Sequence, residues 1–415
     1  MGLTIEPECP QCGAPVAIDE LDRLLSCPYC GVRSFLFARD YFRLVLPRNT
    51  SRQDLIYAPY LRFKGAIYYC RGRQVKYRLL DITNVGTELA GLPFSLGFRT
   101  QGPKLKFITP KIKGAFLKFN LDQNKILERA SRISASASME PLLYRAFIGE
   151  VLSLIYFPMY LENNKLVDAV LNRPIVSLNK DINISELTVK NPQWKLGALA
   201  AICPQCGWDL KGEKDSVVLA CDNCNIGWSA SEAKFTRVEV RSVPAREGEA
   251  INLPFWRIAV TMEGGGIKIN SYADFIRQTG CLATKSIAPE WEEEQFAFWI
   301  PAFKIEPKIF LYLANRLSVA LRTVETVETV PEINVFPVTL PQREAIESLR
   351  IVFASATKDK FKKTIYPALP ELKIEPKSVM LVYLPFTETS MELIQQQSSV
   401  AFSKAVLRIG RYFLG

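Results

Sequence analysis

Apolar positions along the chain fall into short runs that share one feature, a proline set between aromatic or branched residues. IYAPYLRF around Pro59, NLPFWRIAV around Pro254, LIYFPMYL around Pro158 and LVYLPFTE around Pro385 follow this pattern; LPFSLGF at Pro93 and WIPAFKI at Pro301 follow it more loosely. Aromatic and β-branched residues favour strands. Proline cannot donate to a ladder, so these strands are expected at sheet edges, at strand starts or at bulges. Helical periodicity is rarer. Pro341 to Thr357 starts with proline in the first turn and sets Ile346, Leu349, Val352 and Phe353 on one face. Lys308 to Leu321 carries a similar stripe and Leu121 to Ser134 a weaker one. Segment 388–415 reads as an amphipathic helix, with Phe402, Val406, Ile409 and Phe413 opposite Lys404, Arg408 and Arg411. The nearest approach to a membrane span, Leu142 to Tyr160, is interrupted by Arg145 and Glu150 and reads as buried core. The expected class is α+β, β-rich, with antiparallel sheets.

A second motif, CPQCG, occurs at Cys9–Gly13 and again at Cys203–Gly207. Cys9 and Cys12 are followed, after fourteen intervening residues, by Cys27 and Cys30; Cys203 and Cys206 are followed at the same interval by Cys221 and Cys224. Two thiolate pairs so spaced match a four-cysteine zinc ribbon. Each pair forms a knuckle, and a hairpin brings the knuckles together around one ion at about 2.3 Å from each sulfur. Gly13, Gly31 and Gly207 follow their second cysteine where the turn calls for positive φ, and Asn225 takes that place in the fourth knuckle.

The chain contains no histidine. Both sites are therefore all-cysteine and closed, whereas a catalytic zinc keeps a position open for water. Two structural Zn2+ ions are expected, with rubredoxin-type iron as the minority alternative, because both metals accept a tetrahedral set of four sulfurs. The same absence removes the commonest general base and every Ser-His or Cys-His nucleophile pair. No enzyme is expected. Disulfides are disfavoured: ten cysteines in 415 residues is sparse, and the opening MGLTIEPECP has neither a basic region nor an apolar run. A cytoplasmic location follows as an expectation.

Aligned on their cysteines, the halves keep their landmarks in order. Pro47 and Pro244 come next, then Pro59 and Pro254, then more loosely Pro93 and Pro301, and Pro158 and Pro385 close each half. This suggests a tandem duplication. The expected layout is a zinc ribbon at 1–40, a basic β-rich body at 41–175 and a linker at 176–195. A second ribbon at 196–232, an α+β body at 233–387 and the terminal helix at 388–415 follow. CPxCG ribbons followed by strands such as YAPYLRFKG and NLPFWRIAV resemble a group of bacterial zinc-ribbon proteins. The ribbons alone are similar to those of transcription factor IIB and of primosomal helicases. The resemblance implies metal binding and a tandem β-rich build, and nothing further.

Charge adds a candidate surface. The formal net charge is +10, and Arg62 to Lys118 carries twelve basic residues against Asp81 and Glu88. Two Zn(Cys)4 centres would lower the total without touching this segment. Arg62, Lys64, Arg71, Arg73, Lys76, Arg78, Lys104 and Lys106 are the candidate partner-binding residues. An acidic protein is the expected partner. A nucleic acid is the alternative, with Tyr68, Tyr69, Tyr77, Phe98 and Phe107 as stacking platforms; a solvated basic face is the bland reading. An anionic membrane is a further candidate for 400–414. Arginines beside Cys70 would lower its thiol pKa, though a buried free thiol is the simpler reading, as for Cys281. The WEEE run at 291–294 and the EGGG run at 263–266 read as turns. The functional expectation is a zinc-stabilised interaction protein, a subunit or adaptor, with a nucleic-acid accessory protein as the alternative.

Overall fold

Two long strands that run side by side and change their outer neighbours partway along organise each half. In the first half β1 (Phe42–Val45), β2 (Leu55–Arg71), β3 (Gln74–Val85), β4 (Ala115–Leu117), β5 (Leu142–Glu162) and β6 (Lys165–Asp168) make up most of a nine-stranded sheet. In the second, β7 (Val240–Ser242), β8 (Glu249–Gly264), β9 (Ala297–Pro301), β10 (Lys373–Glu388), β11 (Glu392–Gln395) and β12 (Val400–Ser403) make up most of a seven-stranded one. The computed structural model describes residues 3–97, 104–120, 140–178, 183–190, 194–231, 233–246, 248–282, 286–331 and 334–407. Among them no helix is long and apolar enough to cross a membrane.

The long pairs, β2 with β5 and β8 with β10, are antiparallel. The sheets as wholes are mixed, not antiparallel throughout, because β1 lies parallel to β5 and β7 parallel to β10. The prolines stand in the middle of these central strands, and their position explains how a sheet tolerates them. On one side β2 pairs with β3 up to Tyr60 and with β4 from Tyr57 back, so Pro59 falls at the seam between the two neighbours. Gly86 N–H donates to the Pro59 carbonyl at 2.8 Å, and the missing N–H faces the same gap. Pro254 repeats this between β9 and the bridge at Asn252, with Ala302 N–H as donor at 3.0 Å. Pro158 lies between the ladders of β1 and β6 on β5, and Pro385 between those of β7 and β11 on β10. No ladder donor is lost at any of the four.

From Tyr57 to Lys64 and from Asn252 to Ala259 the two registers coincide residue by residue. Pro59 faces Tyr156 and Pro254 faces Tyr383; Tyr57 faces Pro158 and Asn252 faces Pro385. Tyr60 pairs with Val85 and Phe255 with Pro301, so Val85, not Pro93, occupies the place of Pro301. Leu46 N–H donates to Tyr156 as Val243 N–H does to Tyr383. A bulge follows the same pair in each half, Lys64–Val151 and Ala259–Ser378.

Helices cluster in the second half. Pro307–Ala320 and Gln342–Ala356 form where the periodicity places them. Tyr272–Thr279, capped by Ser271 and Asp274, and Asp359–Ala368 add to them; Leu121 to Ser134 lies outside the described residues. The Gly264–Gly266 run turns β8 back, and the WEEE run is largely a short helix, Glu290–Glu293. Three further expectations change. The linker is partly built into the sheets: Thr188–Lys190 pairs with β4, and Trp194 is buried against Phe107. Strand Gly197–Ala200 pairs with Arg33–Phe37 of the first ribbon. Segment 388–403 is a hairpin, not a helix, because Val400 and Phe402 alternate inward at period two and Phe402 packs on Phe386. Of the expected terminal helix face, Ile409 and Phe413 lie outside the described residues.

The halves share a core. Tyr68, Cys70, Ala146 and Ile148 from the far end of β2 and β5 pack with Phe310 and the helices of the second half. Glu344 of the Gln342–Ala356 helix accepts from Gly149 N–H in the β5 bulge at 2.7 Å. A small cavity of about 80 Å³ at this junction is lined by Arg23 and Lys304 with Asp215 and Glu344, two cations against two carboxylates.

Ribbon 1 is fastened to β2 by charge. Glu20 and Arg62, each 3% exposed, form a bidentate pair with both contacts at 2.9 Å; Asp81 closes the other side of the guanidinium, and Lys64 Nζ lies 3.6 Å from Glu20. Burial alone would depress the Arg62 pKa, but the hydrogen bonds and charges of Glu20 and Asp81 outweigh it and raise it. Removing one member of a buried pair strands the other charge, at about 3–5 kcal/mol. Glu20→Gln should therefore lower the unfolding free energy read from a denaturant titration by an amount in that range, while Glu20→Met with Arg62→Met and Lys64→Met, which leaves neither cation stranded, should recover most of it. Equal destabilisation by the single and triple changes would contradict this role.

Candidate metal centres and the basic segment

The four knuckles fold as their turn residues require. Gly13 and Gly31 donate to the Cys9 and Cys27 carbonyls at 2.9 and 3.0 Å, and Gly207 donates to Cys203 at 2.9 Å. Their φ values are +74°, +72° and +75°, and Asn225 adopts +52°. A Cβ at any of the three glycines would meet open space, so the backbone angle alone selects glycine there, and asparagine meets the same demand in the fourth knuckle.

These turns gather Cys9, Cys12, Cys27 and Cys30 into one cluster and Cys203, Cys206, Cys221 and Cys224 into another, with all four sulfurs within 4.8 Å of one another in each. Sγ–Sγ separations are 3.7 Å for Cys9–Cys30 and Cys12–Cys27, 3.6 Å for Cys203–Cys224 and 3.4 Å for Cys206–Cys221. A tetrahedron with metal–sulfur bonds of about 2.3 Å has edges of about 3.8 Å, so the tetrads fit a single ion each. The separations are far too long for disulfides, whose sulfurs lie about 2.05 Å apart. Hydrogen bonds from the N–H groups of Cys12 and Gln11 hold the Cys9 thiol down at about 6. Those from Trp208 N–H and the Asn223 side chain do the same for Cys206.

The ribbons are docked to each other. Leu24 and Phe35 of the first share a core with Leu210, Leu219, Ile226 and Trp228 of the second. Arg23 and Leu24 N–H groups donate to the Lys214 carbonyl, and the Arg33 guanidinium to the Leu210 and Gly212 carbonyls. Cys203 and Cys221 lie in that core, so the second centre holds the surface on which the first ribbon rests.

The basic segment does not form one patch. Arg62 and Lys64 lie inside, bound to Glu20, and are closed to a partner. Their charges were visible in the sequence, but their neutralisation by a residue of the first ribbon was not. Lys104 pairs with Glu6, and Lys106 lies with Arg48, Lys111 and Lys113 beside Tyr57. Arg73, Lys76 and Arg78 are exposed at the other end of β2, while Arg71 is half-buried beside Tyr69. Tyr57 and Arg71 are fourteen residues apart on β2, about 45 Å of extended strand. Arg99 and Phe98 lie outside the described residues. Burial pushes the Cys70 thiol up to about 12, with Lys362 opposing weakly, so Cys70 is an inert core thiol; burial raises Cys281 too.

The sequence reading missed Glu20, and it missed a contrast between Arg62 and Arg257. Both arginines stand third after the proline in YAPYLRF and NLPFWRIAV, so the signal was present in the aligned motifs. No protein-family description, curated protein or solved structure matches the chain.

Metal affinity should fall as pH drops from about 7.5, because only thiolates bind the ion and Cys30 and Cys224 are pushed up to about 12, and most steeply below about 6, where Cys9 and Cys206 also take up protons. Chelator competition between about pH 7.5 and 5.5 measures this. An affinity unchanged over that range would contradict thiolate ligation.

Proposed function

We propose that the chain is a non-enzymatic, zinc-stabilised interaction protein, a subunit or adaptor of a larger assembly, that arose by tandem duplication. The observation that carries the non-enzymatic reading is the chemistry of the tetrads. Four sulfurs close each site, no histidine exists elsewhere in the chain, and the second tetrad is built into the core that joins the ribbons. Zinc is the favoured ion because tetrahedral all-thiolate sites at this spacing suit it and need no redox chemistry. Thiolate sites of this kind belong in a reducing compartment, which supports a cytoplasmic location. The duplication reading is supported by the coincident registers, the shared bulge and the seam prolines.

The partner surface is the tip of the β2–β3 hairpin. Arg73, Lys76 and Arg78 are exposed there beside Tyr77 and Leu79, and among the described residues β3 pairs only with β2. An edge strand with basic residues suits an acidic protein segment, which adds backbone pairing to charge attraction. Nucleic acid is the second reading, favoured only by the juxtaposition of Tyr77 with these cations.

Fluorescence anisotropy with a polyglutamate peptide and a single-stranded oligonucleotide separates the two. The acidic peptide should bind in a salt-sensitive manner, and Arg73→Glu, Lys76→Glu and Arg78→Glu together should weaken it by at least about tenfold. Tighter binding of the oligonucleotide would favour the second reading. Unchanged binding by the triple variant would remove the hairpin from the account.

A further inference from the structure

The common register places Arg62 and Arg257 at one structural position, and the two halves treat it differently. Arg62 pairs across the ladders with Thr83 and Ser153, and Arg257 with Trp299 and Met380. In the first half the guanidinium is closed by Glu20 and Asp81. The position of Asp81 is taken in the second half by Ala297, which pairs with Ala259 as Asp81 pairs with Lys64. Glu20 stands seven residues before Cys27; seven before Cys221 stands Lys214. Both counter-charges are missing. Among the described residues no hydrogen bond or ion pair reaches Arg257. Glu294 stabilises its charge only at longer range and is itself bound to Arg322 at 2.8 Å. Burial accordingly lowers the Arg257 pKa, the reverse of the direction found at Arg62.

Arg257 lines a cleft of about 520 Å³. Trp299 and Met380 lie in its wall, and the segment after the Pro307–Ala320 helix contributes Arg322, Thr323 and Thr326. We propose that this cleft binds a small carboxylate ligand, whose carboxylate meets Arg257 as the side chain of Glu20 meets Arg62. The volume lies in the range of small-molecule sites, about 300–1,000 Å³. The guanidinium fork matches a planar carboxylate with two parallel hydrogen bonds. Arg322 and the threonine hydroxyls offer further donors, and Trp299 and Met380 an apolar wall for the carbon skeleton. Glu325 beside them disfavours a densely charged polyanion. The junction cavity near Lys304 offers no such site, since its cations already face Asp215 and Glu344. The proposal stands on the register and the cleft, and depends neither on common ancestry of the halves nor on the partner surface.

Thermal unfolding of the metal-loaded full chain tests it, with succinate and inorganic phosphate as probes at equal ionic strength. About 10 mM succinate should raise Tm by roughly 1.5 °C, the shift expected of a ligand with millimolar affinity on a chain of this length, and phosphate should raise it less. Arg257→Met should raise Tm without ligand, because it removes a desolvated, unpaired charge, and should abolish the succinate shift. Ala297→Asp, which rebuilds the missing counter-charge, should abolish that shift as well. No succinate shift in the unaltered protein, a shift that survives either substitution, a larger shift with phosphate, or a lower ligand-free Tm for Arg257→Met would each overturn the proposal.

Discussion

A guanidinium taken out of water needs a counter-charge, and the first half of this protein is arranged around meeting that need. Arg62 is pointed inward by its place on a central strand, third after a seam proline, and its carboxylate comes from Glu20 in a different structural unit. The pair therefore does more than neutralise a charge: it fixes where ribbon 1 sits on β2. That placement brings Arg23 and Leu24 against Lys214 and lets the two ribbons share a core. The cysteine tetrads are placed to hold one metal ion within each ribbon, and the buried pair keeps the first ribbon in place.

The long strand pairs set a second constraint. A strand that exchanges one neighbour for another midway must leave a gap in its ladder, and proline is the residue that loses nothing there. Pro59, Pro158, Pro254 and Pro385 all occupy such gaps. Their aromatic neighbours consequently lie in the core: Tyr60, Phe157, Phe255 and Phe386 are almost wholly buried.

The metal sites and the landmarks of each half were legible in the sequence because both depend on local spacing. Two cysteines three apart form a knuckle wherever they occur, and the glycine or asparagine behind them reports a backbone angle. The pairing of Pro93 with Pro301 was misleading because the second half inserts helices between β8 and β9, so chain distance no longer tracks sheet position. Arg62 and Lys64 were read as surface because a sequence displays a charge and not the partner brought to it from forty residues away. Segment 388–403 fitted a helix through residues further on, whereas Val400 and Phe402 carry the alternation of a strand. Local chemistry was readable; long-range neutralisation was not.

Each tetrad brings four sulfurs to one point, and the proposal for both is a structural zinc ion with no place left for water or substrate. X-ray absorption at the zinc edge of the metal-loaded protein tests that claim most directly. The account predicts a single shell of four sulfurs at about 2.3 Å, averaged over both sites. A shell in which oxygen or nitrogen replaces part of the sulfur would show an open coordination position and contradict it.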